Sequence, residues 1–378
     1  MNHLLIANAE TGAGTLLLGF LLLFLGAACG GSFGLPSKFV KRNLPWETLW
    51  GPFFFFATIL IPLTFGPMLV DGLYETYRVA GWSLIILPLA FGLLWGLGSM
   101  TLGLSFAFIG LSLAYAINYG GQIIVGSMGP LLIHSPETLA TLQGFVIILG
   151  VLVCLAGVVA CGRAGVLKSK SQQGDDASDS AGKAKVAMIA GLLLAFLSGA
   201  LCACWAIAFS FGEDVMEIAA KEPLSNPAWA KSIPVTILIL WGGSISACLY
   251  CVYKLTVNKT WERFESEGAM KAVFLAFCMA LLHDGAVLLF GLGATYLGDL
   301  GGSVGYAVFM SFAIIIGNVN GFLTGEWKGA HRKAVQWIFA GIVVLIVGIC
   351  ILGAAKSMDA QAEANTDVPV AETVAPAA

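Results

Sequence analysis

A histidine and an aspartate stand side by side in the middle of a long apolar run. His283 and Asp284 follow Lys271 by about twelve residues, within the run of residues 269–292. An ionised aspartate at the centre of a bilayer costs about 2.5–3.5 kcal/mol on insertion scales, so a residue of this kind usually serves a function. We predict that Asp284 carries a proton and that His283 relays or gates it.

A structural explanation for this pair stays open. The two side chains could be tied to backbone carbonyls, or to serine and asparagine side chains of neighbouring helices. Neighbouring residues on a helix point about 100° apart, so the sequence does not require His283 and Asp284 to touch.

Three polar residues share one face of another apolar segment. Tyr115, Asn118 and Gln122 are spaced three and four residues apart, with Tyr119 beside them. Aromatic rings can cover the C–H face of a sugar, and amides donate to and accept from hydroxyl groups. This face predicts a site for a neutral polyhydroxylated ligand, or else hydrogen bonds between helices, worth about 0.6 kcal/mol each.

Other residues complete the predicted site. For these residues too, the alternatives are ligand binding and hydrogen bonding between helices. The further candidates for substrate binding are Trp95, Trp205, Tyr306, Asn318 and Asn320. Glu47 follows the basic loop 38–42 at the start of an apolar segment, where a carboxylate favours a helix N-terminus. We predict a gate or structural role for Glu47.

The composition requires these side chains to be held in a membrane. Of the 378 residues, 58% are hydrophobic and 11% are charged, whereas soluble proteins carry about 25% charged residues. Crossing the hydrocarbon core takes about 20 helical residues. Stretches of this kind fall at ten places: 13–35, 46–67, 82–107, 110–133, 141–162, 186–210, 232–253, 269–292, 302–324 and 334–355. We predict an all-α integral membrane protein with ten transmembrane helices, the least certain boundary being the turn near Ile109-Gly110, so that nine or eleven remain possible.

The cations predict the orientation of the chain. Fifteen of the 19 Lys and Arg residues fall in four loops on one side, those after the first, fifth, seventh and ninth spans. By the positive-inside rule these loops are cytoplasmic. We expect a multi-pass membrane protein with both termini extracytoplasmic.

The chain divides into two halves that resemble each other. We predict a first five-helix repeat at 1–165, a cytoplasmic linker at 166–185, a second repeat at 186–356, and a disordered extracytoplasmic tail at 357–378. Shifting by 191 residues aligns 110–126 with 301–317 at seven identities in seventeen, and also pairs Gly150 with Gly341 and Gly157 with Gly348. Five spans per half make the repeats inverted, as in many secondary transporters.

Several function classes are excluded by what the sequence lacks. It contains no G-x-x-x-x-G-K-[ST] phosphate loop, no paired metal-ligand spacing and no nucleophile elbow. The nine cysteines lie mostly in apolar runs, where they act as small hydrophobic residues. We expect no enzyme, no cofactor or metal, and no nucleic-acid partner. The expected partners are the bilayer, a small solute and protons, with an ion gradient as the driving force and a monomer or dimer both open.

Several motifs carry a resemblance to a known family. They are Pro45-Trp46-Glu47-Thr48-x-Trp50, Trp95-Gly96-x-Gly98, Gly110 to Pro130, Arg163-Ala164-Gly165-x-Leu167-Lys168, Met310-Ser311-Phe312 and Glu326-Trp327-Lys328. Through nearly all of 13–355 the chain resembles the L-rhamnose/proton symporter family of the drug/metabolite transporter superfamily. The resemblance implies a ten-helix inverted-repeat fold, import of a 6-deoxy sugar across the inner membrane, and proton symport.

The chain departs from the family pattern at the predicted site. His283-Asp284-Gly285 stand where the family carries aromatic and amide residues, and Ser99 and Ala107 replace more polar residues. The resemblance therefore implies the fold more strongly than the substrate. L-rhamnose or a related monosaccharide is the first expectation. The alternatives are a uniporter or exporter of another small polar metabolite, such as an amino acid or a nucleoside-like compound, and a non-transporting membrane subunit.

Overall fold

Ten long α-helices make up most of the chain. The computed structural model describes residues 13–41, 43–109, 111–172, 181–298 and 301–366, and within these ranges the secondary structure is helical, without strands. The helices are α1 (Ala13–Gly30), α2 (Trp46–Leu69), α3 (Leu73–Ile109), α4 (Leu111–His134), α5 (Leu142–Gln172), α6 (Ala181–Cys202), α7 (Ile233–Val257), α8 (Ala269–Tyr296), α9 (Tyr306–Leu323) and α10 (Arg332–Thr366).

Short helical segments connect or extend the long ones. Three are single 3₁₀ turns, at Leu35–Phe39, Pro136–Ala140 and Trp261–Glu265. Cys204–Phe211 continues the direction of α6 after Ala203, and Glu213–Ala220 follows it. A π-helical turn interrupts α2 at Phe56–Leu60, and another, at Gly301–Gly305, leads into α9.

Nine helices of the described residues are long and apolar enough to cross a membrane, and α4 is not among them. With 24 residues α4 is long enough to cross a membrane, but its polar residues lower its hydropathy. Asn118 and Gln122 are nevertheless buried, at 0% and 5% exposure. The protein is thus an all-helical integral membrane protein with many spans, and the tenth span remains a prediction.

One predicted boundary coincides with the helix ends, and two segments predicted to be non-helical are partly helical. Helix α3 ends at Ile109 and α4 begins at Leu111, at the predicted turn, with Gly110 outside the described residues. Helix α5 continues into the predicted linker as far as Gln172, and α10 continues into the predicted tail as far as Thr366. The remaining parts of those two segments, 173–180 and 367–378, lie outside the described residues.

Six of the helices meet at the centre of the molecule. Helix α1 packs against α8 and α9, α3 packs against α6 and α7, and α4 packs against α5, α6 and α9. Helix α2 lies outside this group, against α7 and α8. Because α4 contacts helices of both halves, its polar face lies inside protein rather than lipid, where its amides find partners.

Helices α5 and α10 form the most extensive contact, and four glycines along it have no room for a side chain. A Cβ at Gly341 would lie 2.6 Å from Cys161 Sγ, and one at Gly150 would lie 2.8 Å from Leu352. The other two contacts of this kind are Gly348 with Cys154, at 2.5 Å, and Gly157 with Leu345, at 2.8 Å. Close backbone approach through glycine is a usual way for helices to associate in lipid.

Candidate functional site

A cavity of about 80 Å³ lies where the six central helices meet. Five of the residues that the sequence singles out line it together: Trp95, Gln122, Trp205, His283 and Tyr306. They come from α3, α4, the Cys204–Phe211 segment, α8 and α9. Residues nearly 200 positions apart in sequence thus line a single cavity, as expected of a ligand site between helices of a bundle.

The rest of the lining was not predicted from the sequence. It consists mainly of apolar side chains: Phe33, Leu102, Cys202, Ala286, Val287, Phe290, Phe309 and Met310, with Gly30, Ser99 and Tyr119. Large apolar residues occur in every apolar segment of this chain, so the sequence offers no signal that separates a lining residue from a packing one. Only Tyr119 stood next to a recognised polar face.

Aromatic rings form the walls of the cavity. The rings of Trp95 and Trp205 lie 5.1 Å apart at 70°, and His283 lies 5.5 Å from Trp95 and 5.8 Å from Phe33. Trp205 Nε1 is buried and has no hydrogen-bond partner among the described residues. A buried N–H without a partner costs free energy, and a ligand oxygen within hydrogen-bond distance of it would offset that cost.

His283 and Asp284 are in direct contact. Nδ1 of His283 lies 2.9 Å from Oδ1 of Asp284, and both side chains are about one-tenth exposed. His283 lines the cavity, whereas Asp284 lies outside the lining. Its second oxygen, Oδ2, is buried and accepts no hydrogen bond from the residues that the structure describes. One carboxylate oxygen is therefore engaged and the other is free to take a proton.

A row of hydrogen bonds joins Tyr306, on the cavity wall, to two amide side chains of α4. The Tyr306 hydroxyl donates to Gln122 Oε1 at 2.6 Å, and Gln122 Nε2 donates to Asn118 Oδ1 at 2.5 Å. Asn118 does not line the cavity, so it holds Gln122 from behind.

Four other predicted residues lie outside the cavity lining. The ring of Tyr115 packs 5.1 Å from Phe106 and 5.2 Å from Tyr119, and its hydroxyl has no partner among the described residues. The other three make these contacts: Asn318 donates to Ile314 O of its own helix (2.9 Å), Asn320 donates to Ser32 Oγ (2.8 Å) and Gly31 O (3.2 Å), and Glu47 accepts from Asn258 (2.9 Å) and Thr260 (2.7 Å).

Packed aromatic rings, some stacked and some edge-to-face, close the cavity on the side of the cation-rich loops. Phe33 of the lining lies 5.9 Å from Phe53, which lies 5.2 Å from Trp50, which lies 5.7 Å from Trp46 at the start of α2. Phe53 and Trp50 are 1% and 3% exposed. A solute leaving the cavity in this direction would have to displace several large rings.

An ion cluster lies on the same side of the molecule. Glu326 contacts Lys38 through one carboxylate oxygen and Lys168 through the other, at 3.3 Å for Lys168. Lys168 also lies 4.9 Å over the ring of Trp327, and Lys38 donates to Thr324 Oγ1 at 2.7 Å. The cluster joins the loop after α1, the end of α5 and the loop after α9, and its three charged side chains are only 12% to 21% exposed.

A wide cleft of about 690 Å³ opens on the opposite side. Polar and charged residues line much of it, among them His134, Glu213, Glu217, Lys221 and Lys231. The exposed Lys221 donates to Glu217 at 2.6 Å, and this hydrogen bond holds the pKa of Glu217 below its ordinary value. Hydrated charges of this kind suit an aqueous entrance.

Two packed aromatic rings connect the lining of this cleft with that of the cavity. Phe209 lines the cleft and Phe290 lines the cavity, and their rings lie 5.6 Å apart. Phe290 also packs 5.5 Å from the ring of Tyr306. On this side, one ring–ring contact links a residue of the cleft to a residue of the cavity.

A comparison with known protein families accounts for this arrangement. The family model of the L-rhamnose-proton symport protein matches residues 13–358, which include every helix from α2 to α9 and every lining residue of the cavity. The chain belongs to this family.

Individual members of the L-rhamnose-proton symport family match over nearly their whole length. The chain is 26% identical over 347 residues to the L-rhamnose-proton symporter of Mannheimia succiniciproducens, covering 90% of this chain and 98% of that one. It is 28% identical over 352 residues to the L-rhamnose-proton symporters of Pectobacterium atrosepticum and Escherichia coli, covering 89% of this chain and 97% of each relative. The resemblance predicted from the motifs is confirmed.

Proposed function

We propose that this protein is a proton-coupled secondary transporter that imports L-rhamnose or a related monosaccharide across the bacterial inner membrane by alternating access. The observation that carries the proposal is that the aromatic cavity and the His283–Asp284 pair meet at one place, in a chain that matches the symport family throughout. The proton gradient is the driving force, and no cofactor takes part.

The cavity offers the chemistry that a 6-deoxy sugar needs. Indole rings of Trp95 and Trp205 provide apolar surfaces for C–H groups and a methyl group, while Trp205 Nε1, Gln122 and Tyr306 provide polar contacts for hydroxyls. The lining residues that the structure describes include no Asp, Glu, Lys or Arg, and a carboxylate comes near only through His283, which contacts Asp284 behind the wall. A neutral solute therefore suits it better than a charged one.

The His283–Asp284 pair supplies the coupling. With one proton shared in the hydrogen bond, the pair carries a net charge of −1; a second proton makes it neutral. A neutral pair is much cheaper to hold in a low-dielectric interior than a charged one. Protonation therefore favours the occluded conformations, in which the cavity is closed to water on both sides. The carrier with sugar and proton bound must pass through these conformations.

The fold that we propose has ten spans in two inverted repeats. The glycine contacts between α5 and α10 support it, because the offset of 191 residues converts each contact into another. Gly341 with Cys161 becomes Gly150 with Leu352, and Gly348 with Cys154 becomes Gly157 with Leu345. An interface in which each contact is repeated with the partners exchanged is what a two-fold axis produces.

The composition of the cavity supports the same symmetry. Its walls come from α1, α3 and α4 of the first half and from α6, α8 and α9 of the second, together with the segment that extends α6. These are corresponding helices when spans one to five are matched with six to ten. A substrate site at the interface of two repeats is the usual arrangement in transporters of this build.

We propose that the cleft faces the periplasm and that the ion cluster faces the cytoplasm, with both termini extracytoplasmic. The positive-inside distribution of Lys and Arg supports this orientation. The conformation is then one in which the cytoplasmic side is closed by aromatic rings and ion pairs, while on the periplasmic side one ring–ring contact links a residue of the cleft to a residue of the cavity.

Uptake into proteoliposomes tests the proposal. Purified protein is reconstituted and given labelled L-rhamnose, with the lumen alkaline relative to the outside. We expect accumulation above the external concentration, alkalinisation of the medium as protons enter with the sugar, and loss of accumulation when a protonophore collapses the gradient. L-mannose, which differs from L-rhamnose by a 6-hydroxyl group, reports whether the apolar wall selects the 6-methyl group.

The departure at His283-Asp284-Gly285 from the family pattern supports a second candidate. This is a uniporter or exporter of another small polar metabolite. Counterflow, in which unlabelled solute inside drives entry of labelled solute without any proton gradient, separates the two. Counterflow of amino acids or nucleosides but not of sugars would replace the first proposal, and absence of transport and of ligand-induced thermal stabilisation for all of them would favour a non-transporting subunit.

A further inference from the structure

A row of hydrogen bonds runs from the cavity wall across four helices. Beyond Tyr306, Gln122 and Asn118, it continues from Asn118 Nδ2 to Ser198 Oγ of α6, at 2.7 Å, and from Ser198 Oγ to Gly98 O of α3, at 2.6 Å. Ser198, Asn118 and Gln122 are 0%, 0% and 5% exposed. The row is thus sealed from water everywhere except at the end where Gln122 and Tyr306 line the cavity.

Close backbone contact brings these helices near enough. A Cβ at Gly199 would lie 2.4 Å from Asn118 O, and a Cβ at Gly98 would lie 2.6 Å from Cys202 N. Any larger residue at these two positions would push α4 or α3 away from α6. Ser198, which precedes Gly199, is therefore held within reach of both neighbouring helices.

The Gly98 carbonyl, at the end of the row, determines which group donates in every hydrogen bond of the row. Gly98 O has no hydrogen, and two oxygens 2.6 Å apart need one between them, so the hydroxyl hydrogen of Ser198 must point to Gly98. Ser198 Oγ can then only accept from Asn118, which must present its NH₂ group to Ser198 and its oxygen to Gln122. By the same rule Gln122 presents its oxygen to Tyr306, and Tyr306 donates.

This direction fixes what the cavity offers a ligand. Because the hydroxyl hydrogen of Tyr306 is used toward Gln122, the Tyr306 oxygen has only lone pairs left, and it accepts a hydrogen bond from a ligand hydroxyl. Trp205 Nε1, which has no partner among the described residues, can only donate. Among the lining residues, Tyr306 thus offers an acceptor and Trp205 a donor, and these two roles cannot be exchanged.

We propose that Ser198 is a positioning residue of the sugar site, which touches no sugar but sets the Asn118–Gln122–Tyr306 row so that Tyr306 accepts from a sugar hydroxyl. The inference rests on the proposed function for the identity of the ligand, and on the geometry alone for the direction of the row. Loss of the Ser198 hydroxyl frees the Asn118 amide to turn over, after which Gln122 and Tyr306 can adopt either polarity.

A set of L-rhamnose analogues tests this role, each with one hydroxyl replaced by fluorine, which cannot donate. In the wild type one analogue, lacking the hydroxyl that donates to Tyr306, is expected to raise KM about tenfold. In Ser198→Ala the KM for L-rhamnose itself rises about tenfold at nearly constant kcat, and the fluorine effect shrinks to about twofold or less. An unchanged fluorine effect in Ser198→Ala overturns the proposal.

Two further variants separate positioning from folding. Ser105→Ala removes another fully buried hydroxyl, which donates only to Leu102 O of its own helix at 2.7 Å, and it should leave KM and the fluorine effect unchanged. Ser198→Cys retains a weak donor of similar size and should give an intermediate KM. If Ser198→Ala does not insert, the intermediate behaviour of Ser198→Cys carries the test, and wild-type behaviour there contradicts the proposal.

A measurement that needs no transport distinguishes the positioning role of Ser198 from the proposed function. The C–O stretching band of Tyr306, obtained by infrared difference against Tyr306→Phe, reports whether the hydroxyl donates or accepts. We expect a donor band in the wild type and in Ser105→Ala, and a shifted or split band in Ser198→Ala. A donor band that persists in Ser198→Ala overturns the positioning role. If the wild-type protein takes up no rhamnose but the band is shifted in Ser198→Ala, only the proposed substrate is rejected.

Discussion

His283 stands between Asp284 and the cavity, with its Nδ1 2.9 Å from one carboxylate oxygen, while the other oxygen has no partner among the described residues. The imidazole therefore touches both the cavity and the carboxylate for which we propose the role of proton carrier. Under that proposal, a change in the protonation of Asp284 would alter the hydrogen bond that orients the His283 ring, so that one side chain would respond to both the solute and the proton.

Asp284→Asn should separate sugar movement from proton movement. The amide keeps the size of the side chain but cannot take up or release a proton, so the variant should equilibrate L-rhamnose without accumulating it. We expect counterflow to persist and gradient-driven accumulation to fall to a ratio of about one. The measurement is labelled uptake in proteoliposomes with an internal pH dye.

Glu267→Gln is the matched control for this change. Glu267 is 92% exposed in its side chain and pairs with Lys41 on the surface, so its neutralisation should leave coupling intact. Accumulation by Asp284→Asn that still collapses with the pH gradient would contradict the role of Asp284.

Trp205→Phe should weaken sugar binding without closing the cavity. The ring that forms the wall is retained, but the Nε1–H that has no partner among the described residues is lost. A hydrogen bond to a ligand hydroxyl is worth about 0.5–1.5 kcal/mol, so KM should rise by up to about tenfold while kcat changes little. Trp46→Phe removes an equally unpartnered N–H outside the cavity and should leave KM unchanged; equal effects of the two variants would argue against a ligand at Trp205.

Hydropathy predicted where the helices lie. A helix lies at each of the ten predicted positions, and nine of these helices in the described residues are long and apolar enough to cross a membrane. A chain in lipid must satisfy its backbone hydrogen bonds within each span and has few alternatives to a helix. The helix ends were less predictable. Residues beyond the hydrocarbon layer can stay helical in water, as α5 does to Gln172 and α10 to Thr366.

The site was predictable only in part, because residue type does not reveal which way a helix face points. Gln122 and Asn318 are both amides in apolar spans, yet Gln122 lines the cavity and Asn318 bonds to a carbonyl of its own helix. Ser198 illustrates the opposite case. It is one serine among many in apolar segments, and its place between Asn118 and Gly98 follows from the packing of α3, α4 and α6.

Glu326→Gln should make the cavity more accessible from the side of the ion cluster. The change leaves Lys38 and Lys168 near each other without the carboxylate between them. Because these groups are partly exposed, we expect a loss of about 1 kcal/mol, which is a several-fold shift between conformations. Cys202, which lines the cavity, is the reporter: in a variant that keeps it as the only cysteine, an impermeant maleimide added to inside-out vesicles should label it several times faster.

The exposed pair between Lys41 and Glu267 again provides the comparison. Exposed ion pairs contribute little to conformational preference, so Glu267→Gln should leave the labelling rate of Cys202 unchanged. Equal labelling rates in the two variants would mean that the cluster around Glu326 does not keep this side closed.

Gly341→Ala and Gly150→Ala should destabilise the protein to a similar extent if α5 and α10 are related by a two-fold axis. A Cβ at either position meets the opposite helix at 2.6 Å and 2.8 Å, respectively, and overpacking of this kind costs about 1–3 kcal/mol. Thermal unfolding in detergent measures the loss, with Gly14→Ala as the control, since a Cβ there has nothing within 4 Å. In the double variant the two losses of stability should add, because Gly341 and Gly150 touch different residues across the interface. A large loss in one variant and none in the other would mean that the interface is not symmetric, and the inverted repeat would lose its structural support.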